Sequence, residues 1–222
     1  MRAIILAAGG GTRLKSVTDD PKCMLEVGGE SLIKRQLRLL EKVYSAPLIV
    51  VGYKHKAIID HIGHKDMVMN PVWKQSNTLL SLLFAISGSP MDCLVINGDV
   101  VFEEELLGKM LAADYNACAV QVLDSPTDEE VKVDGDKDRV TAIGKNVRSD
   151  IEAVGVYLFR RPMVKAIRNT AHKLDNPITS YYEDALNLCL ESNHPMCQIE
   201  TVNAVEIDTP EDYERAREIY ET

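Results

Sequence analysis

Three features of the sequence predict an α/β fold: a single open sheet, mixed but mainly parallel, flanked by helices. Short apolar runs recur at 3–7, 47–52, 67–70 and 92–97. Segments of helical period lie between them, the alternation that βαβ units produce. The first run has no polar residue, as befits a strand buried on both faces, and it leads into Gly9, Gly10 and Gly11.

The elements follow in order. Ser31 can cap a helix on which Leu32, Ile33, Leu37 and Leu40 recur at helical spacing. Residues 47–52 read as a second buried strand ending in Gly52, 57–62 as a short helix and 67–70 as a third strand. Residues 78–86 make a strongly apolar helix, suited to lying flat on the sheet, and 92–97 a fourth strand that stops at Gly98 and Asp99. The second half is less regular. It reads as strands at 117–123, 139–143 and 153–159, with a charged, turn-rich hairpin region at 125–138. Helices at 162–174 and 181–190 precede short strands at 196–202 and 205–207. The last helix has an explicit start, with Thr209 as N-cap, Pro210 at the first helical position and Glu211 and Asp212 in the first turn. No repeat or low-complexity linker divides the chain, so 1–222 reads as one domain with halves 1–115 and 116–222.

Composition narrows the function. A chain of 222 residues that is 45% hydrophobic and 27% charged can bury a core without disulfides or metals. Its net charge of −9 opposes a nucleic-acid surface, which needs clustered Lys and Arg. Any polyphosphate must therefore be held by local cations, with a divalent ion helping against the acidic background. No apolar run is long enough to span a bilayer and no secretory leader is recognisable, so no membrane partner is expected. Cys23, Cys93, Cys118, Cys189 and Cys197 are odd in number, scattered and without a Cys-x-x-Cys pair. They read as buried free thiols of a reducing cytoplasm. His55, His61 and His64 read as solvated, since no third metal ligand is placed beside the last two.

The glycines open the chemistry. Small residues after a buried strand let the backbone turn and approach a ligand, and successive N–H groups there make an anion-binding concavity. Arg13 and Lys22 add the fixed positive charge a triphosphate needs. Counting from Gly9, the sixth place is Leu14, so this is not a dinucleotide fingerprint. Lys15-Ser16 follows Leu14 rather than glycine, so it is not a P-loop either. The glycines alone fit a ligand-free turn equally well; Arg13, Pro21 and Lys22 favour phosphate. Asp99 closes a buried strand at the sheet edge where α/β ligands collect, and suits Mg²⁺, although Asn97-Gly98-Asp99 also describes a simple turn. Asp208 precedes the cap Thr209 and could merely supplement it.

Leu6-Ala7-Ala8-Gly9-Gly10-Gly11-Thr12-Arg13-Leu14, with Pro21-Lys22 and Leu25, resembles the signature of the nucleotidyltransferases that activate sugar phosphates and phosphorylated small alcohols. The resemblance implies a Rossmann-like nucleotidyltransferase fold, with 1–115 binding nucleotide and 116–222 binding the acceptor. It implies that Leu6, Ala7, Ala8, Gly9, Gly10, Gly11 and Thr12 bind the nucleoside triphosphate, together with Gly98. Arg13 would contact the phosphates and Lys22 would bridge to the transferred group, the two catalytic positions. Mg²⁺ would be the cofactor, on Asp99 and on Asp208 of the Glu206-Ile207-Asp208-Thr209 element.

Asn77-Thr78 and Ser81-Leu82 resemble the Ser-Asn-(x)3-Ser-Leu element of cytidylyltransferases acting on phosphocholine and aminoethylphosphonate. Asn70, Ser76, Asn77 and Ser81 would then face the base, though capping is an ordinary duty for Asn77. Lys145 matches a lysine that neutralises the acceptor phosphate, and Glu152 an acidic position facing the acceptor. Tyr181-Tyr182-Glu183-Asp184 resembles the Tyr-Tyr/Trp-Glu-Asp element of phosphocholine-type enzymes, placing Tyr182 and Glu183 at the acceptor. With Trp73, the two tyrosines could cage an ammonium or could simply pack.

The expected activity is Mg²⁺-dependent transfer of CMP from CTP to a small phosphorylated acceptor, releasing pyrophosphate. The alternatives are a sugar 1-phosphate with UTP, GTP or dTTP, and a regulatory domain that binds nucleotide without chemistry. A monomer or simple homodimer is expected, because no β-helix follows.

Overall fold

The computed structural model describes every residue except Ser45, His64 and Thr222. Strand β1 (Arg2–Ala7) is followed by the small hairpin β2 (Glu26–Val27) and β3 (Glu30–Ser31), then helix α1 (Leu32–Glu41). Next come β4 (Leu48–Val51), α2 (His55–Ile62), β5 (Met67–Met69), α3 (Thr78–Ala85) and β6 (Cys93–Asn97). These four longer strands lie parallel in the order β5-β4-β1-β6. After β7 (Val100–Val101) and α4 (Glu104–Ala112) come β8 (Asn116–Val122), β9 (Lys132–Gly135), β10 (Val140–Gly144) and β11 (Ile151–Phe159). Helices α5 (Arg161–Thr170) and α6 (Tyr182–Glu191), strands β12 (Met196–Glu200) and β13 (Val205–Glu206), and helix α7 (Pro210–Tyr220) complete the chain. The long β11 runs antiparallel beside both β6 and β8, and β12 joins β8 in parallel. The result is the mixed, mainly parallel sheet expected from the sequence.

The side-chain period of two explains how one strand serves two cores. Ala3, Ile5 and Ala7 of β1 enter the face covered by α1, α2 and α4, whereas Ile4 enters the face covered by α3, α5 and α6. A third, smaller cluster joins Leu14, Leu25 and Val27 to Val205, Ile207 and Ala216, so α7 packs beside the first loops of the chain. Its start is a capping box. Asp212 N donates to Thr209 Oγ1 at 3.2 Å, and the Asp212 carboxylate accepts from Thr209 N at 2.9 Å and Asp208 N at 3.2 Å.

Some elements differ from the sequence reading. Helix α4 was not anticipated: Leu106, Leu107 and Met110 carry its buried stripe, but Gly108 interrupts an otherwise clear pattern. Strand β9 lies inside the charged hairpin region, where Val133 and the partly aliphatic Lys132 are buried against the sheet. The helix expected over 162–174 ends at Thr170, whose hydroxyl donates to Ala166 O at 2.9 Å before a 3₁₀ turn takes over. His61 is not simply solvated, since its Nε2 lies 2.7 Å from the Ser31 hydroxyl; His64 lies outside the described residues. All five cysteines are free, and among the described residues no helix is long and apolar enough to cross a membrane.

The cap matters because the residue before it is Asp208. Thr209→Ala is expected to cost about 1 kcal/mol, read as a lower urea midpoint with an unchanged slope. An unaltered midpoint would mean that packing alone holds α7.

Candidate active site

Strands β1, β4 and β6 end along one edge, and a cavity of about 280 Å³ opens there. Gly9, Gly11 and Thr12 form one wall, with Arg13 and Lys22 reaching into it. Gly11 is left-handed, at φ +56°, and a Cβ there would lie 2.6 Å from Lys22 Cγ. The missing side chain is what lets the lysine stem lie across the loop. Leu14 is fully buried and anchors the short turn that turns Arg13 outward. Cys23 does the same for Lys22: it is buried, and burial pushes its thiol up to about 12.

The second wall brings distant parts of the chain together. Buried Gln36 donates to Asn97 O at 2.9 Å and Val100 O at 2.8 Å, pinning the turn that carries Gly98 and Asp99. Strand β13 pairs antiparallel with β7, Val205 opposite Val101 and Glu206 opposite Val100. One further bond, Ile207 N to Asp99 O at 2.9 Å, extends this ladder and sets Asp208 beside Asp99. Lys22 Nζ pairs with the carboxylates of both, at 2.5 Å from Asp208 Oδ1. Arg13 spans two carboxylates as well, with Nη2 2.6 Å from Asp208 Oδ2 and Nη1 2.6 Å from Glu129 Oε2. Lys145 Nζ approaches the same Glu129 oxygen at 3.7 Å.

These contacts set the electrostatics. Burial works against the Lys22 ammonium, but Asp99 and Asp208 outweigh it and hold the amine above its ordinary range. Burial would likewise raise Asp208, yet Lys22 and Arg13 keep it below the usual carboxylate range. Glu206 moves the other way. Enclosure, then repulsion from Asp99 and Asp208, push its carboxyl well above the ordinary range.

The floor of the cavity is a buried polar chain. Tyr182 OH donates to Asn97 Oδ1 at 3.0 Å, and Asn97 Nδ2 donates to Glu206 Oε1 at 3.1 Å. Gly155 makes room for it, because a Cβ there would lie 2.8 Å from Asn97 Nδ2. Tyr157 OH donates to Glu183 Oε1 at 3.2 Å, while Glu183 Oε2 is buried with no hydrogen-bond partner among the described residues. Burial and the neighbouring Asp184 charge push the Glu183 carboxyl up to about 7, against the tyrosine hydrogen bond.

Of the positions singled out in the sequence, Leu6, Gly9, Gly11, Thr12, Arg13 and Lys22 line the cavity. So do Asn77, Asp99, Lys145, Tyr182, Glu183 and Asp208. Others serve different ends. Ala7 and Ala8 pack into the two cores, and Gly98 lines a small recess behind Lys22. Gly10 faces Trp73, whose ring would lie 3.0 Å from a Cβ. Ser81 is buried on α3, where Asn70 Nδ2 donates to it at 3.0 Å and to Ser76 Oγ at 2.9 Å. That trio braces the loop after β5 and is absent from the cavity lining. Glu152 is buried too, accepting from Gln121 Nε2 at 2.9 Å, and likewise does not line the cavity. Trp73 packs against Gly10, Gly52 and, at 5.2 Å, the Tyr53 ring, whereas Tyr182 is buried under the cavity floor. The three aromatics therefore do not form one cage. Glu206, Asn97 and Glu129 were missed. The alternation Glu206-Ile207-Asp208 could have placed Glu206 on the Asp208 face; nothing in the loop sequence singles out Glu129.

The donor set fits Mg²⁺. Asp99 and Asp208 supply hard oxygen ligands, and their two charges exceed the one on the Lys22 ammonium between them. Among the described residues no cluster of three or more His, Cys, Asp or Glu side chains makes a metal cage by itself. Two carboxylates with water and phosphate oxygens completing the shell are, however, how Mg²⁺ is usually held.

Residues 3–183 match the MobA-like NTP transferase domain. The bifunctional protein GlmU of Methanococcus aeolicus is 30% identical over 166 residues, which is 72% of this chain but 40% of that protein. The chain thus spans about two-fifths of that relative's length. Among solved structures, the inositol-1-phosphate CTP transferase from T. maritima superposes with a TM-score of 0.79 at 22% identity, covering 99% of this chain and 96% of that one. The CTP:phosphocholine cytidylyltransferase from Streptococcus pneumoniae gives 0.80 at 24% identity, with 98% of each chain covered. These two likenesses establish the shared fold.

The raised Glu183 carboxyl has a consequence for stability. Its folded value of about 7 exceeds the ordinary 4.5, so the folded state binds the extra proton. Stability from this group is complete below about 4.5 and is lost as pH rises to about 7, on the order of 3 kcal/mol. Glu183→Gln should remove that loss. The difference in denaturation free energy between variant and parent should grow across this window and then level off; a pH-independent difference would contradict the assignment.

Proposed function

This chain belongs to the MobA-like NTP transferase family, and on that premise we propose that it transfers a nucleoside monophosphate, with CTP the favoured donor, to a small phosphorylated alcohol. The observation that carries this reading is Lys22, held between Asp99 and Asp208 beneath the glycine loop. An acceptor phosphate oxygen attacks the α-phosphorus in line, the bond to the β-phosphate oxygen breaks, and pyrophosphate leaves with the electron pair. No covalent intermediate is required, so the residues act by positioning and by charge. Arg13 and the amides of Gly9 to Thr12 orient the β and γ phosphates. Mg²⁺ on Asp99 and Asp208, when bound, neutralises charge on the triphosphate. Lys22, released from those carboxylates, turns its ammonium to the α-phosphoryl oxygens. Lys145 meets the acceptor phosphate, and Glu183 and Tyr181 offer hydrogen bonds to its alcohol portion. In this reading residues 1–115 serve the nucleotide and 116–222 the acceptor.

The choice of CTP draws on the two CTP-using neighbours and on Asn77 at the mouth of α3. A second reading, a sugar 1-phosphate with UTP, GTP or dTTP, is favoured by two observations. Ser76 and Ser81 are tied to Asn70 rather than open to a base, and Trp73 does not join the tyrosines around an ammonium.

Pyrophosphate release, assayed with each of CTP, UTP, GTP and dTTP against phosphocholine, aminoethylphosphonate, inositol phosphate and hexose 1-phosphates, separates these readings. Activity with CTP and a phosphorylated alcohol is expected. Tight CTP binding without pyrophosphate from any acceptor would instead mark a regulatory domain. With the productive pair, Lys22→Ala should lower turnover by roughly 10²- to 10³-fold, the scale of losing one preorganised charge-stabilising group. Turnover at the parental rate would remove Lys22 from the chemistry.

A further inference from the structure

We propose that the Glu129 carboxylate holds the place of a ligand phosphate between Arg13 and Lys145, and must leave that place before a polyphosphate is bound. The inference deepens the nucleotidyl-transfer reading and rests on it for the identity of the ligand.

Among the described residues, every cation lining the cavity is already paired with a carboxylate. Lys22 sits on Asp99 and Asp208, Arg13 on Asp208 and Glu129, and Lys145 on Glu129. The carboxylates differ in what they can do next. Asp99 and Asp208 are fixed by the β7–β13 ladder and can exchange an ammonium for a metal ion. Glu129 has no such second role. It lies in the irregular connection between β8 and β9, its side chain 68% exposed, and reaches back over the cavity mouth.

Its oxygen Oε2 lies 2.6 Å from Arg13 Nη1 and 3.7 Å from Lys145 Nζ. One anionic oxygen spanning a guanidinium and an ammonium is what a phosphate group would offer to the same two side chains. With Asp208 on its other terminal nitrogen, both ends of the Arg13 fork are already engaged by carboxylates. The turn that presents Glu129 is itself held in shape. Glu129 N donates to Thr127 Oγ1 at 3.1 Å, the Glu130 carboxylate accepts from Thr127 N at 2.9 Å, and Lys132 Nζ donates to Thr127 O. Glu129 is therefore offered by an organised turn and not by a free side chain.

Exposure makes the exchange easy. Solvated ion pairs of this kind each shift an equilibrium by no more than about fivefold, so a phosphate bearing two charges displaces a single carboxylate. A ligand with one weak negative charge gains little from the same exchange. Glu129 thus selects polyphosphates over weaker anions at the mouth of the cavity.

The test is calorimetry on the full chain with inorganic tripolyphosphate at low ionic strength. Glu129→Gln is expected to bind it roughly three- to tenfold more tightly than the parent, with the gain shrinking as salt is added. Asp128→Asn, which removes the same charge from the exposed neighbouring residue, should change affinity less than about twofold. Equal or weaker binding by Glu129→Gln, no binding by either protein, or the same gain in Asp128→Asn would overturn the proposal. Turnover separates it from the reaction itself. CTP turnover whose KM is not lowered by Glu129→Gln sinks the placeholder role and leaves the reaction standing. Tighter tripolyphosphate binding without pyrophosphate release from any nucleotide and acceptor keeps the placeholder and sinks the reaction.

Discussion

A ladder of two residue pairs carries the whole arrangement. Pairing of β13 with β7, extended by Ile207 N to Asp99 O, brings a carboxylate from the end of the chain beside one from its middle. Without it, Asp208 would have no reason to share Lys22 with Asp99. The ladder is short, so it depends on its supports. Val101 and Val205 are buried in the small third core, and Gln36 holds the turn below from a helix on the other side. The capping box of α7 then fixes the backbone of Asp208 itself through the Asp212 carboxylate.

That convergence creates an electrostatic problem which the surrounding residues answer. Three carboxyl groups approach one ammonium in a partly enclosed space, where like charges disfavour ionisation and opposite ones favour it. The groups divide accordingly. Asp208 remains a carboxylate because Lys22 and Arg13 face it, whereas Glu206, enclosed and facing two aspartates, is pushed towards the neutral form. Glu183, in the same cavity, is raised chiefly by burial, with the Asp184 charge adding to it. An acidic protein can in this way present a cavity whose few cations are each paired with a carboxylate.

Glycines illustrate how one motif serves several physical ends. Gly11 is required by its left-handed backbone and by the stem of Lys22, and Gly9 opens directly on the cavity. Gly10 stands between them but yields to the Trp73 ring instead. A reading that treats the three as one phosphate loop is correct about the turn and too generous about what each residue meets. The same holds for Ser81 and Glu152. Both have the right chemistry for a ligand, and both turn it to a neighbouring amide, Asn70 in one case and Gln121 in the other.

The amino-acid sequence by itself determined the class of sheet, the succession of its parallel strands with their helices, the start of α7 and the glycine turn that follows the first strand. Each of these follows from local rules: apolar periodicity, capping chemistry and glycine's access to positive φ. Helix α4 escaped because Gly108 blurs its stripe, and β9 because its buried positions lie among charges. Only the tertiary structure decided that Asp99 and Asp208, more than a hundred residues apart in sequence, share one ammonium, that Glu206 joins them, and that Glu129 pairs with Arg13 at the cavity. Hydrogen bonds between distant strands and pairing of charges across a cavity depend on which backbones the packed cores bring side by side, and no local pattern of residues encodes that neighbourhood.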